Sequence, residues 1–320
     1  MNSLTLRLSL LMGLFFAIVY AAVSGLMQYM GGGSVSSYLF LAGGIVFVQY
    51  LIGPKIIEWT MHVRYVTREE APGLYEMVEE LAQKAKIKMP RLAVSDTPVP
   101  NAFAFGRGIS DGRICVTRGI VNLLNEDELK AVLGHELSHI RNHDVLFITI
   151  LSVVPMVLYR IFINLTFFGG GRRREENGST MLIALGALVL YFITNLLVLY
   201  ASRIREYFAD KGSVELGNPP QNLATALYKL VYGAARVPKE DLQAVEGAKA
   251  FFINDVSNAR NEIHELSELD LDHSGTIDKY ELSRLKHSNI KVNAGSKMME
   301  IFSTHPDMLK RIKQLSEYSA

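Results

Sequence analysis

Cysteine is almost absent from this chain. A single cysteine, Cys115, occurs in 320 residues, which excludes an internal disulfide framework and favours a reducing compartment. The same scarcity argues against a structural zinc site, since such sites are built mainly from cysteine thiolates. Positive charge is not in excess either, because 33 lysines and arginines against 32 acidic residues leave a formal net charge of +1. No basic stripe carries interleaved aromatic residues, so nucleic acid is not an expected partner.

Charged residues are also few, at 20% of the chain, and the mean hydropathy of +0.17 is high for a soluble enzyme. Four apolar runs account for this value, and each is close to the roughly 20 residues that cross a bilayer. They are Leu8–Met30, Tyr38–Ile57, Val145–Phe168 and Met181–Ala201. A cleaved signal peptide could explain the first run, but the second run follows after a short loop, which favours an uncleaved hairpin. The sequence therefore predicts two transmembrane hairpins and a lipid bilayer as a partner.

Lysine and arginine predict the orientation of the first hairpin. Arg7 precedes it and Lys55, Arg64 and Arg68 lie at or after its end, whereas its loop carries neither residue type. Positive residues collect on the cytoplasmic side, so both ends of this hairpin are expected in the cytoplasm, together with the segment that follows. The loop of the second hairpin contains Arg172–Arg174. Whether that hairpin crosses the membrane fully therefore stays open.

The segment His135-Glu136-Leu137-Ser138-His139 carries the clearest chemical signal. Asn125 and Glu128 predict the capped start of the helix that bears it. Histidines four residues apart lie on one helical face, where both imidazoles can reach a single ion. This is the H-E-x-x-H arrangement of zinc-dependent proteolysis, and a purely structural zinc site would have no use for Glu136. The motif predicts a catalytic zinc site with His135 and His139 as ligands and Glu136 as the catalytic acid and base.

A catalytic zinc ion needs a third protein ligand and a fourth position open to water. Glu206 is the candidate for the third ligand. Asp210, one helical turn later, is placed to accept a hydrogen bond from the outer nitrogen of a ligand histidine and so to fix its tautomer. On this hypothesis zinc polarises the scissile carbonyl and activates water, while Glu136 moves a proton from the water to the leaving amine. The motif runs into the third apolar run and Glu206 follows the fourth, so the site is expected close to the membrane surface.

Two features near the motif have alternatives that stay open. Asn101, Ala102, Phe103 and Ala104 predict an exposed sheet edge beside the catalytic helix, where a substrate peptide could pair with the backbone. An ordinary core strand with its phenylalanines turned inward explains the same pattern equally well. His305, ahead of a final amphipathic helix, is a candidate to assist the oxyanion, and a structural histidine at a helix start is the alternative.

A twelve-residue segment matches the calcium-binding loop of an EF-hand. Gly275 supplies its sharp turn, and Glu281 at the last position can bind an ion through both oxygens. Helical patterns flank the loop on both sides. EF-hands normally work in pairs and the sequence contains one, so an acidic solvated turn is the alternative. The candidate calcium ligands are Asp270, Asp272, Ser274, Thr276, Asp278 and Glu281.

Taken together, these motifs resemble the HtpX-type heat-shock membrane metalloproteases, relatives of the CAAX prenyl proteases. The matching segments are PNAFAFG (Pro100–Gly106), GHELSHIRNHD (Gly134–Asp144), SRIREYFAD (Ser202–Asp210) and STHP (Ser303–Pro306). The resemblance implies a mostly α-helical, gluzincin-like catalytic domain with a small β-sheet on the cytoplasmic face of a prokaryotic membrane. It also implies zinc ligation by His135, His139 and Glu206, catalysis by Glu136, and quality control of damaged membrane proteins. The calcium-loop segment is not part of the usual family pattern.

The expected domain organisation follows from the hairpins. Residues 1–60 form the first hairpin, 61–144 the first part of the catalytic domain, 145–201 the second hairpin, and 202–320 the rest, with an EF-hand-like insert at 262–288. The predicted function is a multi-pass, membrane-bound zinc endopeptidase acting on damaged or misfolded membrane proteins. One alternative is a CAAX-type protease of lipidated proteins, for which more than four spans are expected. The other is a calcium-responsive, non-catalytic membrane scaffold, which leaves Glu136 unexplained.

Overall fold

The computed structural model describes residues 35–163, 165–166, 177–238, 263, 266–288 and 294–319. The predicted first apolar run and the arginine-containing loop of the second hairpin lie outside these residues. The chain divides into two compact units. The first contains the described residues up to Leu51 and Phe147–Ser202, and the second contains Ile52–Leu146 and the described residues from Arg203 onward.

The described part of the chain is mostly helical. The helices are α1 (Val35–Thr60), α2 (Pro72–Ala85), α3 (Arg118–Leu123), α4 (Glu126–Arg141), α5 (Asp144–Ile163), α6 (Asn177–Glu215), α7 (Pro220–Arg236), α8 (Lys279–His287), α9 (Ala294–Ile301) and α10 (Met308–Ser316). The strands are β1 (Arg64–Tyr65), β2 (Arg91–Ser95), β3 (Ala102–Phe105) and β4 (Arg113–Thr117), and a short 3₁₀ turn covers Ile109–Asp111. A mostly α fold with a small β-sheet is therefore confirmed.

The four strands form one mixed sheet in the order β1-β2-β4-β3. β2 and β4 run parallel, whereas β1 and β3 pair antiparallel at the two ends. All five residues of β4 are buried, as expected for a central strand that is covered on both faces. Phe103 and Phe105 of β3 are also buried, against a cluster that includes Met61 and Cys115. Within the described strands β3 pairs with β4 alone, so it is an edge strand whose phenylalanines also fill the core.

Helix α4 begins with the predicted capping box. The side chain of Asn125 accepts a hydrogen bond from the backbone N–H of Glu128 at 2.9 Å, and the carboxylate of Glu128 accepts one from the N–H of Asn125 at 3.1 Å. Leu133 and Leu137 are completely buried in the main core, which also receives α2, α7, α10 and one face of the sheet. The helix thus runs through the interior of its unit, where polar side chains need partners.

Two glycines allow α4 and α6 to approach each other closely. A Cβ atom on Gly134 would lie 2.4 Å from Nδ2 of Asn218, and one on Gly212 would lie 2.3 Å from Oγ of Ser138. No larger residue fits at either position without displacing its neighbour, so the lack of a side chain is what the packing requires. This close approach places the part of α6 that begins at Arg203 against the motif-bearing helix.

The segment predicted as an insert packs into the same core as the rest of its unit. Its apolar side chains Leu266, Ile277, Leu282 and Leu285 are buried there. The hydroxyl of Thr225 on α7 accepts a hydrogen bond from the N–H of Ile277 at 2.9 Å and donates one to its carbonyl oxygen at 3.0 Å. The loop is therefore held to α7 through backbone as well as apolar contacts.

Two described helices are long and apolar enough to cross a membrane by length and composition. They cover Asp144–Ile163 and Met181–Glu215, with mean hydropathies of 2.3 and 2.5. The predicted third and fourth apolar runs coincide largely with these helices, and the second run lies within α1.

Candidate metal centre

Helix α4 brings the two motif histidines together inside the protein. Nε2 of His135 and Nε2 of His139 lie 3.1 Å apart, and the two rings meet edge to face. His135 is 1% exposed, and Glu136, which lies between the two histidines in the chain, is 4% exposed. The spacing of four residues on one helical face thus produces a convergent pair of imidazoles, as the sequence predicts.

Glu206 on α6 completes a group of three side chains that could hold a metal ion. Its Oε2 lies 3.5 Å from Nε2 of His135, and its Oε1 lies 3.5 Å from Nε2 of His139. One ligand atom from each of the three residues lies within 4.8 Å of the others. Two imidazoles and one carboxylate form a donor set that zinc accepts, and a catalytic zinc ion keeps its fourth position for water.

Behind His135 stands a buried aspartate–arginine pair. Oδ1 of Asp210 lies 2.9 Å from Nδ1 of His135. Arg311 of α10 donates to both oxygens of Asp210, from Nη2 at 2.6 Å and from Nε at 2.9 Å. Its Nη1 lies 3.2 Å from Oε2 of Glu206. Arg311 and Asp210 are both completely buried, and this one guanidinium places its positive charge beside two carboxylates that are removed from water.

Behind His139 stands a second pair of the same kind. Nδ1 of His139 lies 2.6 Å from Oδ2 of Asp144, the first residue of α5. Arg205 forms an ion pair with Asp144 and also donates to the carbonyl oxygen of Asn142 at 2.9 Å. Each ligand histidine is therefore backed by an aspartate, and each aspartate by an arginine.

The donor chemistry fits a bound cation. A neutral histidine that donates Nδ1–H to an aspartate has its lone pair on Nε2, so both Nε2 lone pairs face the 3.1 Å gap. Two lone pairs this close repel unless a proton or a metal ion lies between them. Although burial lowers it, the nearby carboxylates of Asp210 and Glu206 raise the pKa of His135 to about 9. Oε2 of Glu206 is buried and accepts no hydrogen bond within the described part of the chain. A zinc ion would satisfy all three groups.

Glu136 lies between the ligand histidines and the edge of the sheet. Its Oε2 accepts a hydrogen bond from the backbone N–H of Ala104 in β3 at 2.7 Å. Burial raises the pKa of Glu136, and the two histidines and this N–H oppose the rise. A carboxylate with a raised pKa holds a proton more readily, which suits a group that takes a proton from water and then gives it up.

His305 also reaches the centre. Its Nδ1 lies 3.3 Å from Oε2 of Glu206, and both ring nitrogens are buried without a hydrogen-bond partner within the described residues. The neighbouring Asp307 caps α10 by accepting from the N–H of Leu309 at 3.0 Å. The cap at this helix start is thus Asp307, and the ring of His305 stays directed toward the metal ligands.

The predicted calcium ligands are only partly brought together. Oxygen atoms of Asp270, Asp272 and Glu281 lie within 4.8 Å of one another. The hydroxyls of Ser274 and Thr276 bond to each other at 2.8 Å. Asp278 instead caps α8. Its carboxylate accepts a hydrogen bond from the N–H of Glu281 at 2.7 Å, and the carboxylate of Glu281 accepts one from the N–H of Asp278.

Sequence reasoning missed three of the charged residues at the zinc centre. Asp144 ends the segment Gly134–Asp144 that contains the motif, and Arg205 directly precedes Glu206, so proximity to the motifs was the available signal. Arg311 occupies the apolar stripe of α10 together with Met308, Ile312 and Leu315. A charged residue in a buried helical stripe is costly unless it is paired, and that mismatch could have marked it.

The fold and the site together define a class of protein. Two histidines and a glutamate that could hold a metal ion, with a second glutamate on the same H-E-x-x-H helix, are the arrangement of a zinc metalloprotease. A family model described as Peptidase family M48 matches residues 68–319. The chain belongs to this family.

Several relatives carry the HtpX name. A protease HtpX homolog from Methanothermobacter thermautotrophicus is 50% identical over 228 residues, which cover 71% of this chain and 86% of the relative. One from Moorella thermoacetica is 34% identical over 316 residues, which cover 98% of this chain and 93% of the relative. These matches confirm the predicted HtpX type, and with it a membrane zinc metalloprotease.

A solved structure shares the fold. The crystal structure of S. mikatae Ste24p is similar with a TM-score of 0.53 and 17% sequence identity, over 97% of this chain. This chain spans 64% of that protein. At this identity the likeness shows the fold alone.

Proposed function

We propose that this HtpX-type protease is an endopeptidase that cleaves damaged or misfolded membrane proteins at the cytoplasmic face of a prokaryotic cell membrane, with Glu136 as the general base. The single observation that carries the proposal is the position of Glu136. It is buried beside the three-ligand group, and it is bonded to the backbone of the β3 edge at 2.7 Å. A scaffold protein would have no use for this carboxylate. A protease needs it where water and peptide meet.

His135, His139 and Glu206 would hold the ion, and Asp210 and Asp144 would keep the two rings oriented through Nδ1. When bound, zinc would act as a Lewis acid on the scissile carbonyl and lower the pKa of water to about 7. Asp210 and Asp144 in turn keep their positions because Arg311 and Arg205 pair with them.

Glu136 moves the proton. The oxygen of water forms a bond to the carbonyl carbon as the Glu136 carboxylate accepts the proton of that water. The carbon–nitrogen bond then breaks, and the same carboxylate passes the proton to the leaving amine. The N–H of Ala104 holds Oε2 of Glu136 throughout, so the other carboxylate oxygen faces the water. His305 is placed to donate from its ring to the developing oxyanion, since no hydrogen bond within the described residues engages that ring.

The open edge of β3 is the proposed seat of the substrate backbone. In an antiparallel pair, alternate residues direct their backbone groups toward the neighbouring strand and toward the free edge. Ala104 directs its N–H to Glu136, so its backbone groups face the free edge, and those of Ala102 share that direction. Because the N–H of Ala104 is held by Glu136, a substrate backbone would pair with the carbonyl oxygen of Ala104 and with Ala102. An extended peptide that pairs with this edge would pass directly over the general base.

The proposed membrane topology keeps the catalytic unit in the cytoplasm. It is supported by Lys55, Arg64 and Arg68, which lie at or after the end of the second apolar run. Both apolar helices α5 and α6 adjoin the site-bearing segments, because α5 begins at Asp144 and Glu206 follows the apolar part of α6. Membrane proteins are the substrates that such a site meets first.

Calcium binding at Asp270, Asp272 and Glu281 is a separate proposal. It is supported by the convergence of their oxygens and by Thr225, which satisfies both backbone groups of Ile277. That contact secures the lone loop to α7. On this proposal calcium stabilises the catalytic unit or regulates it.

The decisive experiment compares the wild type with Glu136→Gln and with the exposed control Glu126→Gln. Each is purified in detergent without metal, loaded with zinc, and given an unfolded protein. We expect equal zinc content in all three and a loss of about 10² to 10⁴-fold in cleavage for Glu136→Gln alone. Turnover by zinc-loaded Glu136→Gln at the wild-type rate would refute its role as general base.

The choice of substrate separates the remaining alternatives. The same wild-type preparation is offered an unfolded protein, a folded soluble protein and a prenylated peptide. Cleavage of the unfolded protein alone supports quality control, whereas cleavage confined to the prenylated peptide would establish the CAAX-type alternative. Zinc binding without any cleavage, also in a bilayer, would favour the scaffold.

A further inference from the structure

One face of α9, together with the residue that directly follows the helix, is apolar and exposed. Met298, Met299, Ile301 and Phe302 have 65%, 43%, 47% and 68% of their surfaces exposed. At 100° per residue these four positions fall on one side of the helical turn, and Glu300 falls on the opposite side. Glu300 pairs there with Lys310 of α10. Large apolar side chains collected on one exposed face mark an interaction surface.

Arg203 fixes the position of this face. Its Nη1 donates to the carbonyl oxygens of Glu300 at 2.8 Å, Ile301 at 3.2 Å and Ser303 at 2.7 Å. Arg203 is the second residue after Ala201, where the apolar stretch of α6 ends, and the helix continues without a break to Glu215. At 1.5 Å per residue, its Cα lies about 3 Å beyond that stretch. The apolar face is therefore tied to the level at which α6 leaves the hydrocarbon.

The chain offers a second side chain suited to that level. Trp59, the only tryptophan, lies near the end of α1, two residues after the second apolar run, and is 83% exposed. Tryptophan is enriched at the boundary between lipid and water. A bilayer surface thus accounts for two exposed apolar features, each located next to the end of an apolar run.

We propose that the face formed by Met298, Met299, Ile301 and Phe302 inserts into the headgroup and upper acyl region of the lipid bilayer. The occupant of this surface is lipid, because Arg203 joins it to the end of a membrane helix. The insertion adds a third kind of membrane attachment to the spanning helices, one that lies in the plane of the surface. It also fixes the height of the zinc centre, since Arg203 precedes the ligand Glu206 by three residues on the same helix.

Depth-dependent fluorescence quenching tests the proposal in the full-length protein. Trp59→Phe removes the only native tryptophan, and Phe302→Trp then places a single reporter on the face. The matched control is Tyr280→Trp in the same background, because Tyr280 is also an exposed aromatic residue, at 64%. Both proteins are reconstituted in vesicles of phosphatidylcholine and phosphatidylglycerol, some brominated near the headgroup and some at the chain middle.

We expect the tryptophan at position 302 to show blue-shifted emission and to be quenched several-fold more strongly than the control, most by the shallow bromines. Equal, weak quenching at both positions would overturn the proposal. Emission that changes with the protein-to-lipid ratio but not with bromination would assign the face to a second copy of the chain instead. A change seen only when an unfolded protein is added would assign it to substrate. None of these readings depends on catalysis, so they remain informative if the role of Glu136 fails its own test.

Discussion

Asp210 and Arg311 are 101 residues apart in the chain, yet they form a completely buried two-point ion pair. The pair stands directly behind the ligand His135, and the same guanidinium approaches the ligand Glu206. One arginine thus supports two of the three metal ligands. The planar fork of a guanidinium is suited to this task, because it binds a carboxylate at two points at once.

Replacing Arg311 should weaken zinc binding. Arg311→Ala leaves Asp210 buried without its partner, which costs about 3–5 kcal/mol of stability, and it loosens the hold on His135. We expect zinc affinity, measured by competition with chelators, to fall about 10 to 100-fold. Arg311→Lys should recover part of the affinity because it keeps the charge but not the fork. Lys310→Ala changes the adjacent, partly exposed charge and is expected to bind zinc normally. Unaltered affinity in Arg311→Ala would show that the pair is only structural.

Asp144 should matter for zinc in the same way as Asp210. Asp144→Leu removes the acceptor for Nδ1 of His139, so the ring is free to turn or change tautomer. We expect a loss of about 10 to 100-fold in zinc affinity, and a smaller loss in Asp144→Asn, whose side-chain carbonyl can still accept the bond. The control is His143→Asn, at an exposed position with a backbone φ of 58°, which asparagine tolerates. Equal affinities in Asp144→Leu and the control would remove Asp144 from the metal centre.

The hydrogen bond from Ala104 to Glu136 predicts a pH effect. The backbone N–H stabilises the carboxylate form and so lowers the pKa of Glu136 against the rise that burial causes. Ala104→Pro removes this donor on an edge strand, where proline is tolerated. The pKa of Glu136 then rises, and since the base must be ionised to accept a proton, the acid limb of kcat/KM should move to higher pH. Ala104→Ser keeps the N–H and should keep the wild-type profile. A shift toward lower pH in Ala104→Pro would contradict the assignment.

Calcium binding can be measured directly by calorimetry. The wild type should give a binding isotherm with a Kd for calcium of about 10⁻⁷ to 10⁻³ M, the range that covers EF-hand sensors and extracellular EF-hand modules. Glu281→Gln removes the carboxylate that closes the loop and should abolish the heat. Glu215→Gln makes the same chemical change at an exposed position outside the loop and serves as the control. Flat titrations for both wild type and Glu281→Gln would end the calcium hypothesis.

Much of the fold could be predicted from local sequence patterns. Asn125 and Glu128 predict the start of α4, and the capping box forms as expected. Helix α2 begins at Pro72, and a proline at the first helical position costs nothing because its missing N–H would have no partner there. These features depend on residues a few positions apart, which is why the sequence suffices to locate them.

The residues that support the metal centre could not be predicted from local sequence patterns. The convergence of His135, His139 and Glu206 could be predicted because their spacing and chemistry are specific, whereas Arg311 pairs with a residue 101 positions away on another helix. Its partner is selected by tertiary packing, in which Gly134 and Gly212 bring α4 and α6 together. No short-range sequence pattern predicts that α4 and α6 pack against each other. The same reason explains why the docking of the calcium-loop segment onto Thr225 could not be anticipated.

The separation of His135 and Arg311 by 176 positions has a consequence for the timing of biogenesis. A ribosome adds roughly 5–20 residues per second, so about 9–35 s pass between the synthesis of the H-E-x-x-H helix and that of α10. During this interval the nascent chain contains Glu136 and the two motif histidines. It still lacks the guanidinium of Arg311, which holds Asp210 and Glu206 in place. The centre is thus completed late in translation, after the neighbouring membrane segments have been made, and an unfinished copy is expected to hold zinc more weakly than the finished protein.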